Sequence, residues 1–305
     1  MIKMNKFAET LDSGRMMATA ECLPPRGSDY SVIEALAASL PDSLDAIVVT
    51  DNRDAIRGSA FSAAVMLAQK GASVILSMAT RDRNRIALLS DALGAAALNV
   101  DAILCTSGNH QAISVCREAA AAHDLDSVQF TQSMKKIILY GSGFSDKPLQ
   151  PRLELQVGAT AHPYLRPIEL SLLRLKKKII AGADFLLTQP VFDIDGFSLW
   201  MESVTKRDLD KRTAVIPSVL PITSLERARA LQQSQIYGPI PDGVIARIGK
   251  ASDQAREGLA IALETTMQLK EIRGIRGIHV LTGGCKSMDE SILATGQLAA
   301  VIKAN

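Results

Sequence analysis

The feature that most constrains this chain is a strict alternation. Short runs of aliphatic and β-branched residues recur eight times, each followed by a stretch whose apolar residues return every three or four positions. The runs are "MMATAEC" (16–22), "DAIVVT" (45–50), "ASVILSMAT" (72–80), "DAILCTS" (101–107), "LELQVGATA" (153–161), "DFLLTQ" (184–189), "TAVIPSVL" (213–220) and "GIHVLT" (277–282). Helical periodicity is plainest in 28–40, 58–71, 83–98 and 168–182. Strands that alternate with helices run parallel and need crossovers, which places the chain in the α/β class. Eight units point to a closed (β/α)₈ TIM barrel, and 305 residues fit one such domain. The rival, an open doubly wound sheet, lacks its mark: no G-x-G-x-x-G follows the first run, and the glycine cluster "YGSGFSD" (140–146) comes after a helix, where a loop turn is expected. Ser28-Asp29 offers N-cap chemistry for the first crossover helix. The span 235–258, broken by Pro and Gly, reads as an irregular insertion in the barrel.

In a barrel of this kind, chemistry collects where the strands end. The runs stop at Glu21, Thr50-Asp51-Asn52, Thr80-Arg81-Asp82, Ser107-Gly108-Asn109-His110, Thr160 with His162, Thr188-Gln189 and Thr282-Gly283-Gly284. One polar strand end is ordinary helix capping; seven together point to a site. Glu21, set between "MMATA" and "CLPP", is expected to be desolvated, pushed towards its neutral form and available as a proton donor. Pro24-Pro25 denies a helix immediately after it. In "ADFLLTQPVFD" a dry strand carries Gln189 to the rim, and Pro190 and Phe192 follow as an apolar wall.

Several classes of function are disfavoured. Lys and Arg number 34 against 32 for Asp and Glu, and aromatic residues make up 4%, so neither phosphate attraction nor base stacking recommends a nucleic acid. The four histidines are scattered without metal-ligand spacing, no metal is expected, and His279 within "GIHVL" reads as a hydrogen-bonded interior residue. No P-loop or G-x-S-x-G elbow occurs. Cys22, Cys105, Cys116 and Cys285 form no C-x-x-C pair, no apolar leader opens the chain, and no run suits a membrane span; a reduced, cytoplasmic protein is expected.

The segments "AECLPPRGSD" and "GADFLLTQPVFD" resemble the Glu-x-x-Pro-Pro-basic and Gly-Ala-x-x-x-x-Thr-Gln-x-x-Phe-Asp signatures of the flavin-dependent methylenetetrahydrofolate reductases. "TRDRNRIALLSDALGAAAL", "IPSVLPITS" and "GIRGIHVLTG" are similar to family segments in the same order, so the likeness runs over nearly the whole chain. It implies a (β/α)₈ flavoprotein of one-carbon metabolism and methionine biosynthesis. Such an enzyme reduces 5,10-methylenetetrahydrofolate to 5-methyltetrahydrofolate by hydride transfer from reduced FAD, with NADH or NADPH as possible electron donor. Carried over, Glu21 is the acid that protonates the folate N10, and Asn109, Gln189 and Phe192 meet the folate. Thr50, Ser77, Arg81, Asp82, Ser107, Gly108, Asn109, His162 and Arg166 meet the flavin. For the phosphates the resemblance offers Lys177 or Lys178, whereas Arg174 and Lys176 read as a solvated helix face.

Three departures qualify the likeness. Asn109 stands where the family has a carboxylate, a change expected to raise the flavin potential. Thr50-Asp51-Asn52 replaces Thr-Tyr-Gly, and Gly284-Cys285 replaces Asn-Arg. They motivate an alternative, a folate-binding or methyl-transfer component that works only in a complex and takes electrons from a partner protein. A homo-oligomer, or a complex with an electron-donating subunit, is expected.

Overall fold

The apolar runs become eight parallel strands: β1 (Met17–Cys22), β2 (Ala46–Val49), β3 (Val74–Ala79), β4 (Ala102–Thr106), β5 (Gln156–Ala161), β6 (Phe185–Pro190), β7 (Ala214–Val219) and β8 (Gly277–Val280). The structure, a computed structural model, describes residues 5–110, 116–122, 124–141, 149, 153–234 and 236–304. His123 and residues 142–146 of the glycine cluster lie outside the described residues. The strands pair in sequence order, and β8 returns to β1 with Met17 opposite Gly277 and Ala20 opposite Val280, closing the barrel. At that seam a side chain on Gly277 would run into the backbone of Met17, so the close approach of first and last strands requires glycine.

Helices cover the outside: α1 (Lys6–Ser13) before the barrel, then α2 (Ser31–Ala38), α3 (Ala60–Gln69), α4 (Arg85–Ala97), α5 (Ser127–Tyr140), α6 (Ile168–Ile180), α7 (Ile194–Thr205), α8 (Leu225–Ser234), α9 (Asp242–Lys250), α10 (Gln254–Lys270) and α11 (Met288–Lys303). Side-chain caps start most of them. Asn84 accepts from Ala87 N, Asp193 from Gly196 N and Ser287 from Glu290 N, while Asp126 and Gln129 form a reciprocal capping box on α5. The α2 start differs from expectation. Its N-cap is Tyr30, without a side-chain bond, and Asp29 instead accepts from the Ser31 N–H at 2.9 Å. The Pro/Gly-rich span between β7 and β8 holds α9 and the start of α10. α8 and α9 enclose a small core of their own, around Ile222, Tyr237 and Ile248.

The barrel interior is filled from its amino-terminal end. Phe7 and Leu11 of α1 pack among Met17, Ala46, Ile75, Ala102, Phe185 and Ala214, and the Phe7 ring meets Phe185 edge-on at 5.0 Å between centroids. Gly158 makes room for that plug, because a Cβ there would overlap the Phe185 ring. Asn5 fixes α1 by accepting from Ala8 N at 3.0 Å and donating to the Asp101 carbonyl at 2.7 Å. With the amino end closed by apolar packing, open space inside the barrel exists at the carboxyl ends of the strands. Among the described residues no helix is long and apolar enough to cross a membrane.

Phe7→Ala should remove this plug and cost about 3–5 kcal/mol of unfolding free energy. Urea denaturation checks it; a loss below about 1 kcal/mol would show that α1 does not seal the barrel.

Candidate functional site

A cavity of about 600 Å³ opens at the carboxyl rim, and side chains from every strand or strand end reach it: Glu21, Thr50, Ser77, Thr106, Thr160, Gln189, Ser218 and His279. Of the residues singled out from the sequence, Arg81, Ser107, Gly108, Asn109, His162, Lys177 and Lys178 also line it. Asp82, Arg166 and Phe192 do not.

Glu21, at the end of β1, is 3% exposed. Its Oε1 accepts from Thr50 Oγ1 at 2.9 Å and forms an ion pair with Arg53. Its Oε2 accepts from Tyr237 Oη at 3.2 Å, Thr282 N at 3.0 Å and Gly283 N at 3.2 Å. Burial is as expected, and the donors around the carboxyl act against the neutral form that burial by itself favours. Desolvation alone would favour the acid, but a guanidinium and two backbone N–H groups can only donate, and they favour the carboxylate. Arg53 also lies over the Tyr237 ring, 4.2 Å from its centroid, and donates to the Tyr237 hydroxyl at 2.9 Å. Neither Arg53 nor Tyr237 was singled out from the sequence. Arg53 stands in a polar loop with no distinguishing spacing, and Tyr237 in the Pro/Gly-rich span; that lone tyrosine between Ile236 and Gly238 was the signal available.

The loop carrying Arg53 is tied down beside it. Arg57 binds Asp54 through two bonds of 2.7 and 2.8 Å and reaches the Pro24 carbonyl at 2.7 Å, joining this loop to Pro24-Pro25. Asn52 adopts φ +40°, a conformation Asn tolerates better than most residues, and its side chain accepts from Arg57 N at 2.9 Å. Asp51 is buried and accepts from Ala79 N at 3.0 Å and Arg83 Nη1 at 2.5 Å, stitching β2 to β3.

Across the barrel, Arg81 donates twice to Asp82 at 2.6 Å and once to the Asn109 carbonyl at 3.1 Å. Asp82 thus sits behind the wall as the counter-charge of Arg81. Gly108, at φ +76°, lies against Arg81 so closely that a Cβ would come within 3.1 Å of the Arg81 side chain.

Gln189 and His162 form the next wall. Both line the cavity, and Gly238, at φ +88°, passes close to the Gln189 amide. The His162 side chain is exposed at the cavity rim. Partial desolvation there, followed by the charge of Lys178, pushes it down to about 4, with nearby Gln189 acting in the opposite sense. Tyr237 touches Glu21 and Gly238 touches Gln189, so the loop between α8 and α9 spans both. Phe192 stands behind it, packed against the core of that same elaboration.

Cations gather on α6. Lys178 is buried and donates to the Thr160 carbonyl at 2.5 Å; burial, with Arg174 adding, pushes its amine down to about 8. Arg174 and Lys177 line the cavity beside it, with no ion pair to a carboxylate among the described residues. This arrangement fits an anion such as a phosphate. Arg174 is exposed, as expected of a solvated face, and it also borders the cavity. His279 is buried with Nδ1 3.0 Å from Thr19 Oγ1, an interior histidine as expected.

The sequence matches the methylenetetrahydrofolate reductase family over residues 6–295. Over 137 residues it is 29% identical to methylenetetrahydrofolate reductase 2 of Saccharomyces cerevisiae, covering 41% of this chain and 22% of that one. It is 23% identical over 137 residues to the 5,10-methylenetetrahydrofolate reductase of Escherichia coli, covering 44% of this chain and 45% of that one. The matched stretch thus spans less than half the length of either relative. In fold, the chain is similar to a Clostridium thermocellum protein described as binding two copies of 5-methyl-5,6,7,8-tetrahydrofolic acid, with TM-score 0.70, 13% identity, and 97% and 99% of the two chains covered.

Burial, then the charge of Arg53, pushes His279 from 6.5 down to about 3. The unfolded chain therefore takes up a proton that the folded chain refuses, and stability should fall as pH drops below about 6.5. The contribution of His279 approaches ~1.4 kcal/mol per pH unit between about 6 and about 4. Chemical denaturation across that range should show a shallower slope for His279→Asn; equal slopes would mean that His279 titrates normally.

Proposed function

Because the chain belongs to the methylenetetrahydrofolate reductase family, we propose that it reduces 5,10-methylenetetrahydrofolate to 5-methyltetrahydrofolate with FAD at the barrel mouth. One observation carries the reading: Glu21 and Gln189, from strands on different sides of the barrel, face one cavity of about 600 Å³, with cations along one wall that form no ion pair among the described residues. That volume suits a small organic ligand. The fold neighbour that binds 5-methyltetrahydrofolate adds support for a folate at this rim.

FAD, when bound, supplies the hydride. Arg174, Lys177 and Lys178 would hold its phosphates, and Thr50, Ser77, Ser107, Gly108 and His162 would face the rest of it. Gln189 presents an amide, with both donor and acceptor, to a pterin edge. Glu21 hands a proton to the folate N10, opening the five-membered ring to an iminium that can accept hydride. The half-enclosed rim limits water and holds the partners in register.

A second reading keeps the folate and replaces nicotinamide by a protein electron donor. The neutral Asn109, Gly284-Cys285 and Asp51-Asn52 favour it, since these departures replace residues on which the resemblance would rest the nicotinamide and folate-tail contacts.

The purified protein should show flavin absorbance or take up FAD. Anaerobic NADH or NADPH should bleach it, and methylenetetrahydrofolate should restore the colour. A yellow protein bleached by neither nucleotide selects the second reading, and a chain that refuses FAD removes both. Glu21→Gln should slow folate reduction by at least ~10²-fold while leaving flavin binding nearly unchanged; retained turnover would exclude Glu21 as the acid.

A further inference from the structure

The bonds around Glu21 are unequal. Oε2 is held by Thr282 N, Gly283 N and the Tyr237 hydroxyl, the first two fixed by backbone at the end of β8. Oε1 has Thr50 Oγ1 and Arg53. A threonine hydroxyl can rotate and accept, whereas a guanidinium only donates. Departure of Arg53 therefore frees Oε1 for a proton, while Oε2 keeps every bond it has.

Arg53 is built to leave. It stands on a loop, lines the cavity, is about a quarter exposed at its side chain (27%), and its buried Nε has no hydrogen-bond partner. The Tyr237 ring and hydroxyl offer it a resting surface beside the carboxylate. Other charges near Glu21 are already engaged: Asp51 by Arg83, Asp54 by Arg57, and Arg57 also by the Pro24 carbonyl. His279 on β8 stays neutral near pH 7, and burial holds the Cys22 thiol on β1 protonated. Arg53 is thus the cation in direct contact with Glu21.

We propose that Arg53 is a positioning residue that sets the protonation state of Glu21: seated on Oε1 it holds the carboxylate, and withdrawn it lets Oε1 take up the proton that Glu21 then passes to a substrate nitrogen. The proposal rests on the reading of Glu21 as the acid. The balance is simple. A solvent proton forms the Oε1–H bond, that bond breaks as N–H forms on the substrate, and the carboxylate left behind draws Arg53 back.

Infrared difference spectroscopy tests this without flavin or folate, because a protonated carboxyl carries a carbonyl band that a carboxylate lacks. The band is assigned to Glu21 by its loss in Glu21→Gln. Between about pH 5 and about pH 8 the wild-type protein should show Glu21 as carboxylate. Arg53→Met should show the protonated band, with a midpoint at least ~1 pH unit higher, a tenfold change in proton affinity. Arg53→Lys, which keeps the charge and loses the planar contact with Tyr237, should fall between, and it serves as the test should Arg53→Met not fold. Unchanged bands in the folded variants would overturn the proposal. In an active wild type, the pH profile of the folate step should move with the band, and a profile that stays put would equally overturn it. A band that moves as expected in a protein without folate turnover supports the clamp and removes the reductase reading instead.

Discussion

A parallel barrel closes only when its last strand pairs with its first, and in this chain that seam is where a carboxylate is buried. β8 ends at Val280, Leu281 N still donates to the Val219 carbonyl, and the N–H groups beyond it, those of Thr282 and Gly283, have left the strand ladder. They are the orphan donors that any strand end leaves behind. Glu21, one strand over on β1, accepts both. The carboxylate and the strand end satisfy each other, and closure of the fold and assembly of the site become one event. An ion of this kind would be costly to bury unmatched, so the surrounding donors follow from its presence. Thr50 comes from the end of β2, Arg53 from the loop beyond it and Tyr237 from the elaboration between β7 and β8.

The two ends of the barrel divide the work. Phe7 and Phe185 occupy the amino end, where apolar packing needs no partners and water is shut out. The carboxyl end keeps a cavity whose walls are polar but largely paired among themselves. Arg81 is matched by Asp82 and Asp51 by Arg83. The cavity's cations on α6 have no ion pair among the described residues, which gives the cavity a direction: positive charge at one end and the Glu21–Gln189 pair elsewhere on the rim. The helix-bearing elaboration after β7 has a corresponding purpose. Its Tyr237 and Gly238 reach from Glu21 to Gln189, so an excursion from the eightfold plan supplies a wall of the site.

The departures from the family pattern also acquire physical content. Asn52 occupies a left-handed backbone position that glycine would otherwise favour, and its side chain secures the loop through Arg57. Asp51, in place of an aromatic residue, cross-links β2 to β3 through Ala79 N and Arg83. The loop held this way is the one that places Arg53 on Glu21, so the altered residues support that ion pair. At strand eight, Gly283 and Gly284 allow the Tyr237 ring and the Pro221 carbonyl to approach closer than any side chain would permit.

Periodicity and strand-end chemistry were local properties, and they were enough to establish eight strands, their order, the barrel and the end at which Glu21 and Gln189 would meet. The burial of Glu21 was legible too, since apolar neighbours flank it in the chain. Its charge was not, because the groups that decide it lie 29 to 262 positions away along the chain. Likewise the sequence did not show the partners of these residues: tertiary structure sets the exposed Arg174 at the edge of the cavity and pairs Asp82 with Arg81. Backbone pattern follows from sterics and hydrophobic spacing within a few residues. The ionisation and aim of a side chain depend on which distant donors closure brings within about 3 Å, and only the closed barrel decides that.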